Sequence, residues 1–322
     1  MNHQLSNLTK ALVMQDNRRS PWLRGIVPPM ITPLKDCDVL DVAGLERLIE
    51  HILAGGVHGL FILGTSGEAP NLSYRLRREL IDRVCRQVNH RVLVLVGITD
   101  TSLIEARQVA RHAANAGADA VVSAAPYYFA AGQPELVSFV EHLVDGLPLP
   151  LFLYNMPQMT KVQFTQETLR RVSHLERIIG LKDSSGDLNY FSSLVSLKQE
   201  RPDWSIFVGP EHLLADTLRL GGDGGVNGGA IFMPEVFVDL FNAVTRGDEP
   251  NAERLQEKLL MLGQIYSIGQ HASAVIKAMK CACSLLNLCS ERMAEPFEAF
   301  HSPQREQVCR VLKSVGLTIH NP

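Results

Sequence analysis

The sequence predicts a (β/α)8 barrel, the TIM barrel, followed by a small helical unit. Its 322 residues are too many for one small core and suit a barrel of ~250 residues with an appendage. Short apolar runs alternate eight times with longer amphipathic stretches between residues 25 and 246. The apolar runs are nearly continuous, which is typical of parallel strands covered on both faces. A doubly wound open sheet is the alternative, but no glycine-rich nucleotide motif follows any of the strands.

The elements follow in order from these patterns. The predicted strands are GIVPPMI (25–31), GLFILG (59–64), RVLVLVGI (91–98), ADAVVSAAP (118–126), LPLFLYN (149–155), RIIGLKD (177–183), SIFVG (205–209) and GGVNGG (224–229). Apolar residues at helical spacing predict the helices that separate them, over 41–56, 72–88, 102–116, 134–144, 165–174, 188–199, 212–222 and 234–244. Ser102 and Glu105 form an S-x-x-E capping box at the start of the third helix.

The chain divides into three parts. Residues 1–20 are expected to form a leader or arm, and residues 21–246 the barrel. Residues 247–322 contain three helical stretches without a strand between them, which predicts a helical subdomain packed on the barrel. We expect the chemistry to lie in the barrel.

Composition excludes several classes of protein. Lys and Arg total 31 against 34 Asp and Glu, so no basic excess favours nucleic-acid binding. No apolar run reaches the ~20 residues of a membrane span, and the first residues do not resemble a signal peptide. The six cysteines form no C-x-x-C pair and are expected to be reduced thiols in a cytoplasmic protein.

Functional residues of a barrel lie where its strands end. Lys182 is the only lysine that directly follows a strand-like run, IIGL. An apolar surround lowers the pKa of a lysine and leaves its amine able to attack a carbonyl. Tyr154 ends the preceding strand, where a phenol could transfer protons to and from the adduct. The structural alternatives are a solvent-exposed lysine and a half-buried tyrosine.

The second strand ends in GTSGE (64–68). Gly64 and Gly67 allow the backbone to approach a ligand closely, and Thr65 and Ser66 offer hydroxyl and N–H groups to a carboxylate. An ordinary turn is the alternative interpretation of such a segment.

Four motifs occur in order at strand ends: G-T-S-G-E (64–68), P-Y-Y (126–128), Y-N-M-P (154–157) and I-G-L-K-D (179–183). By these motifs the chain resembles the dihydrodipicolinate synthase/N-acetylneuraminate lyase family of class I, Schiff-base-forming lyases. The resemblance spans about residues 24–245, and the helical tail also suits the family.

The resemblance implies a role for each motif residue. Lys182 would form the Schiff base with pyruvate or a related keto acid, and Tyr154 would relay protons. Thr65 and Ser66 would bind the keto-acid carboxylate, and Thr65 would also link the tyrosines. Tyr128 would complete the relay, in several members from a neighbouring subunit. The resemblance further implies a substrate-facing carbonyl at Val226, a homo-oligomer built as a dimer of dimers, and catalysis without a metal or organic cofactor.

The second substrate is less sharply indicated. Met159 stands where the resemblance places the arginine that binds aspartate semialdehyde in dihydrodipicolinate synthases, and a methionine cannot donate to a carboxylate. Glu211, Asn227 and Ser184 are candidate readers of hydroxyl groups on a polar aldehyde. We therefore expect an aldolase for a 2-keto-3-deoxy sugar acid. The alternatives are a dihydrodipicolinate synthase, a dehydratase or hydratase-aldolase that uses the same iminium, and a barrel that binds ligands without turnover.

Overall fold

Eight parallel strands form the sheet at the centre of the molecule in the computed structural model, which describes residues 20–320. The predicted leader, residues 1–20, lies outside the described residues except at its last position. The barrel strands are β1 (Gly25–Ile26), β4 (Gly59–Ile62), β5 (Leu93–Gly97), β6 (Ala120–Ala124), β7 (Leu151–Asn155), β8 (Ile178–Asp183), β9 (Ser205–Val208) and β10 (Gly224–Gly225). A two-stranded antiparallel hairpin, β2 (Leu34–Asp36) and β3 (Val39–Leu40), follows the first strand.

The sheet closes on itself between its first and second strands. β1 pairs with β10 on one side, and on the other side Pro29 forms a parallel bridge with Phe61. The N–H of Met30 donates to the Phe61 carbonyl at 2.8 Å, and the N–H of Phe61 donates to the Pro28 carbonyl at 3.0 Å. The predicted (β/α)8 barrel is thus confirmed.

Apart from the short helix α5, the helices lie where the helical spacing predicts them, with shorter limits at several ends. They are α1 (Val42–Ala54), α2 (Tyr74–Val88), α3 (Leu103–Ala116), α4 (Gln133–Asp145), α5 (Pro157–Thr160), α6 (Gln166–Val172), α7 (Leu188–Ser196), α8 (Leu214–Arg219), α9 (Pro234–Arg246), α10 (Glu249–Gly263), α11 (Ala274–Leu285) and α12 (Ser302–Ser314). Ser102 caps α3 as predicted, since its hydroxyl accepts from the N–H of Glu105 at 3.3 Å.

Two apolar cores stabilise the barrel. The larger one lies between the strands and the surrounding helices and extends into α10, α11 and α12. The smaller one fills the barrel interior, and Trp22, just before β1, packs edge-on against Phe152 of β7 within it. Of the helices in residues 20–320, none combines the length and apolar character needed to cross a membrane.

The eighth strand is the largest departure from the predicted elements. GGVNGG was expected to be extended from 224 to 229, but only Gly224 and Gly225 pair, and a 3-10 turn over Gly228–Ile231 follows. A Cβ on Gly224 would lie 1.8 Å from the carbonyl oxygen of Gly25, so the closing strands approach too closely for any side chain here. The hairpin β2–β3 and the short helix α5 were not predicted.

Candidate active site

Lys182 and Tyr154 are direct neighbours at the ends of two barrel strands. The register of β7 against β8 pairs Tyr154 with Lys182, so both side chains lie on the same face of the sheet. Both are nearly buried, with exposed fractions of 5% for Tyr154 and 6% for Lys182. The Nζ atom of Lys182 lies 4.2 Å from the centroid of the Tyr154 ring. The two residues singled out from the sequence therefore form one site.

Phe61 supplies a second aromatic surface for the lysine. Its ring centroid lies 5.2 Å from Lys182 Nζ, within the range of a cation–π contact. Phe61 is part of the barrel-interior core, and its ring also lies against Gly64, where a Cβ would come within 2.6 Å of it. Lys182 thus has aromatic rings around its amine, in the low-dielectric surround expected for a nucleophilic lysine.

The surroundings of the Tyr154 phenol ease its ionisation. Burial opposes ionisation of its phenol, but the adjacent charge of Lys182 and hydrogen bonds with Thr65, Ser184 and Lys182 together hold the pKa of Tyr154 below its ordinary value. The phenol oxygen lies 3.4 Å from Thr65 Oγ1, the longer end of hydrogen-bond range. Ser184 was predicted to read substrate hydroxyls; its described partner is this phenol.

The loop that carries Thr65 is held in a strained conformation. Leu63 and Glu68, which flank it, both have positive φ, at 57° and 54°. Non-glycine residues occupy this region only when their surroundings enforce it, as occurs at functional sites. Gly67 is anchored through its carbonyl, which accepts from Thr32 Oγ1 at 2.7 Å. Ser66 is half-buried beside Thr65, so the two hydroxyl residues remain together at the end of β4.

A buried carboxylate fixes the turns beyond Tyr154 and Lys182. Asp183 accepts from Asn155 Nδ2 at 2.8 Å and from the hydroxyl of Ser185 at 2.8 Å. Burial raises the pKa of Asp183, and these donors partly offset the rise. Asn155 also accepts from the N–H of Phe164 at 3.2 Å. This network, which the sequence did not single out, holds the ends of β7 and β8 in register.

Glu211 and Asn227 have protein partners in this structure. Glu211 Oε2 accepts from the N–H of Gly229 at 2.8 Å and from Tyr266 Oη at 3.1 Å, and burial raises the pKa of Glu211 to about 7. Asn227 is fully buried and donates to the carbonyl of Gly209 at 2.8 Å. Both side chains therefore brace the loops after β9 and β10, and a role in reading substrate hydroxyls stays a prediction.

Two residues from the C-terminal helices reach the end of the eighth strand. A Cβ on Gly228 would lie 2.9 Å from both Met279 Sδ and Tyr266 Oη. These side chains occupy the place that a residue larger than glycine would fill. Val226, predicted to present its carbonyl to substrate, lies in the barrel-interior core together with Tyr154. Sequence spacing could not indicate Tyr266 or Met279, because both come from the unit expected to carry no chemistry.

Among the described contacts, Tyr128 has none with Thr65 or Tyr154. It is 71% exposed and packs edge-on against Phe129, which is 80% exposed. Within residues 20–320, no group of three or more His, Cys, Asp or Glu side chains is arranged to hold a metal ion.

Comparison with known proteins adds to this geometry. The model of the dihydrodipicolinate synthetase family matches residues 22–315. The chain belongs to this family. The resemblance predicted from the four motifs is confirmed, and so is the prediction of a lyase of this family.

Several relatives cover most of the chain. It is 34% identical over 260 residues to a probable 2-dehydro-3-deoxy-D-pentonate aldolase of Escherichia coli K12, YjhH, covering 80% of this chain and 86% of the relative. A solved structure named dihydrodipicolinate synthase, from Bacteroides thetaiotaomicron, is 51% identical with a TM-score of 0.88, covering 92% of this chain and 99% of the other. YagE of E. coli K12, solved in complex with pyruvate, is 30% identical with a TM-score of 0.87, covering 92% and 100% of the two chains.

Proposed function

We propose that the protein is a Schiff-base aldolase that makes or breaks a carbon–carbon bond between pyruvate and an aldehyde. The observation that carries the proposal is the buried contact of Lys182 with Tyr154 at the ends of adjacent strands, 4.2 Å from nitrogen to ring centroid. A lysine amine held next to a phenol with lowered pKa has both parts needed to form and dehydrate a carbinolamine.

The proposed reaction proceeds in balanced steps. The neutral amine of Lys182 attacks the keto carbon of pyruvate, and one amine proton passes to the oxygen. The Tyr154 phenol gives that oxygen a second proton, so that it leaves as water and Tyr154 becomes a phenolate. The Tyr154 phenolate then takes a proton from the pyruvyl methyl group, and the iminium accepts the released electron pair, giving an enamine. The enamine carbon attacks the aldehyde carbon, and the Tyr154 phenol protonates the aldehyde oxygen to a hydroxyl group. Water then adds to the iminium and gives a proton back to Tyr154, which releases the 2-keto acid and restores the amine. Cleavage follows the same steps in reverse.

The residues around the lysine have matching roles in this proposal. Thr65 and Ser66, with the backbone of Gly64 and Gly67, would hold the pyruvate carboxylate, and Thr65 would connect to Tyr154 through the 3.4 Å contact. The carbonyl of Val226 would face the imine. The reaction requires no metal or organic cofactor, because the lysine itself supplies the electron sink. The six cysteines are unpaired thiols, which supports a cytoplasmic enzyme.

The second substrate is proposed to be the aldehyde part of a 2-keto-3-deoxy sugar acid. The names of YjhH and YagE, a putative 2-dehydro-3-deoxy-D-gluconate aldolase, support this choice. Met159, which has no hydrogen-bond donor, also favours an uncharged aldehyde over a carboxylate-bearing one. The name of the 51% identical structure favours dihydrodipicolinate synthase as the second candidate.

Separate assays with the two classes of candidate substrate test this assignment. The protein would be incubated with 2-keto-3-deoxy-gluconate or its pentonate analogue, and pyruvate release measured by a coupled dehydrogenase. Pyruvate release that disappears in Lys182→Ala is the expected result. Condensation of pyruvate with aspartate semialdehyde, without cleavage of either sugar acid, would instead establish the second candidate.

The proposal also includes a homo-oligomer, arranged as a dimer of dimers. The adjacent exposed rings of Tyr128 and Phe129 support it, because two large aromatic side chains are rarely left in water together. A second copy would cover these rings and receive the Tyr128 hydroxyl near its own Tyr154. Light scattering should then give a multiple of the 35.6 kDa chain mass, and Tyr128→Ser with Phe129→Ser should lower it.

A further inference from the structure

A buried ion pair connects the C-terminal helices to the loop that carries Thr65 and Ser66. Glu68, the last residue of GTSGE, pairs with Lys280 of α11. Lys280 has no exposed surface, and Glu68 is 3% exposed. The proposed reaction uses neither side chain.

The pair belongs to a wider set of contacts between the same two parts of the chain. Glu68 Oε1 accepts from the N–H of Ala294 at 2.8 Å, and Lys280 Nζ donates to the carbonyl of Arg292 at 2.6 Å. Asn71 Nδ2 adds a longer contact to the carbonyl of Glu295 at 3.3 Å. Three separate segments thus meet at one carboxylate.

Stability does not explain such a pair. Removing two charges from water is costly, and apolar residues of similar volume often stabilise a core at least as well. A buried ion pair does, however, accept only one arrangement of its partners, because a small displacement leaves a charge without its counterpart. A buried ion pair can therefore specify the position of the segments that carry it.

The loop is a segment where position must be imposed. Leu63 and Glu68 both adopt positive φ, so the backbone on either side of Thr65 is held against its own preference. Thr32 anchors the loop from the barrel side through the Gly67 carbonyl. On the side of the C-terminal subdomain, the described contacts that hold this segment are those of Glu68 with Lys280 and Ala294 and that of Asn71 with Glu295.

We propose that Glu68 and Lys280 are positioning residues through which the C-terminal subdomain holds Thr65 and Ser66 in place to bind the carboxylate of the keto acid. This inference rests on the proposed function of the loop. The C-terminal subdomain then contributes to substrate binding without contacting the substrate through this pair.

The test replaces the pair without leaving a lone buried charge. The double variant Glu68→Gln/Lys280→Met removes both charges while Gln keeps an acceptor for Ala294. Glu68→Gln alone is a second variant of nearly the same shape; it leaves the Lys280 charge without its counterpart and is therefore compared with the double variant, which does not. Glu291→Gln is the matched control, because it breaks another ion pair of the same subdomain, Glu291–Arg305, and none of the described contacts joins Glu291 to residues 64–68. Circular dichroism and thermal unfolding establish that each protein is folded.

The readout separates carboxylate binding from general damage. Each protein is reduced with borohydride in the presence of pyruvate or of acetaldehyde, which has a carbonyl but no carboxylate, and the adduct on the Lys182 peptide is quantified. We expect the pair variants to raise the KM for pyruvate and lower its trapping efficiency by about 10- to 100-fold. Trapping with acetaldehyde should stay at the wild-type level, and Glu291→Gln should behave as wild type with both.

Two results would overturn the inference. Wild-type trapping and KM in the folded pair variants would show that the loop does not depend on the pair. An equal loss with pyruvate and acetaldehyde would show a general structural role. Absence of any pyruvate adduct in the wild-type protein would refute the proposed function itself, a result distinct from both.

Discussion

Glu211 should make the stability of the protein depend on pH in an unusual direction. The carboxyl group is buried between Gly229 and Tyr266, and burial raises its pKa from 4.5 to about 7. The native state therefore binds the Glu211 proton more tightly than the unfolded state. As the pH rises from 4.5, the ordinary pKa, to about 7, the pKa in the folded protein, the contribution of Glu211 to the free energy of unfolding falls. Above a pH of about 7 this contribution is lost completely.

The magnitude follows from the same pKa. Each tenfold change in proton affinity corresponds to about 1.4 kcal/mol, so the rise to about 7 corresponds to on the order of 3 kcal/mol. Glu211→Gln keeps the acceptor for Gly229 and Tyr266 but cannot ionise. As the pH rises from 5 to 8, the free energy of unfolding of the variant should therefore increase, relative to that of wild type, by up to this amount.

Denaturant unfolding at pH 5 and pH 8 measures this difference. Glu257→Gln, on the exposed surface of α10, is the control and should change the pH dependence very little. An identical pH dependence for wild type and Glu211→Gln would refute the argument that a buried, proton-binding carboxyl braces this loop. If Glu211→Gln instead keeps the wild-type pH dependence of unfolding but no longer cleaves 2-keto-3-deoxy sugar acids, the result would support the predicted role of Glu211 in binding substrate hydroxyls.

Three further predictions concern the site and the barrel. Tyr154→Phe should lower kcat roughly 10²–10⁴-fold in steady-state assays, because the proton donor is lost while Lys182 remains, and an unchanged kcat would contradict the relay. Thr65→Val should raise the KM for pyruvate, whereas Thr65→Ser, which keeps the hydroxyl, should leave it near wild type; equal effects of both would argue against a hydrogen-bonding role. Gly224→Ala should destabilise the protein by several kcal/mol in thermal unfolding, because its Cβ would lie 1.8 Å from the Gly25 carbonyl oxygen. Gly132→Ala is the control and should be tolerated, because the nearest neighbour of its Cβ would lie at 3.4 Å. Similar melting temperatures of the two variants would refute the close approach at Gly224.

The barrel fold and the central pair of the site, Lys182 and Tyr154, could be predicted from the sequence because both depend on local patterns. Continuous apolar runs identify barrel strands, and chemistry belongs where such strands end, so Lys182 and Tyr154 could be found before their distance was known. GGVNGG failed as a full strand because the chain turns into a 3-10 helix at Gly228, where Tyr266 and Met279 lie against the backbone; such distant neighbours leave no trace in the local pattern.

Long-range partners were beyond such patterns. An apolar run does not show which of its residues faces inward, so Phe61 could not be recognised as a neighbour of the Lys182 amine. Glu68 and Lys280 are separated by most of the chain, and only the folded structure brings them together. For the same reason Glu211 could be placed at a strand end but not assigned to Tyr266.

The most direct test of the central claim is covalent trapping at Lys182. The wild-type protein would be incubated with pyruvate, reduced with borohydride, digested and analysed by mass spectrometry, with Lys161→Ala and Lys182→Ala treated in parallel. The account predicts a reduced pyruvyl adduct on the peptide containing Lys182 in the wild type and in Lys161→Ala, and no adduct in Lys182→Ala. An adduct on another lysine, or none on the wild-type protein, would contradict it.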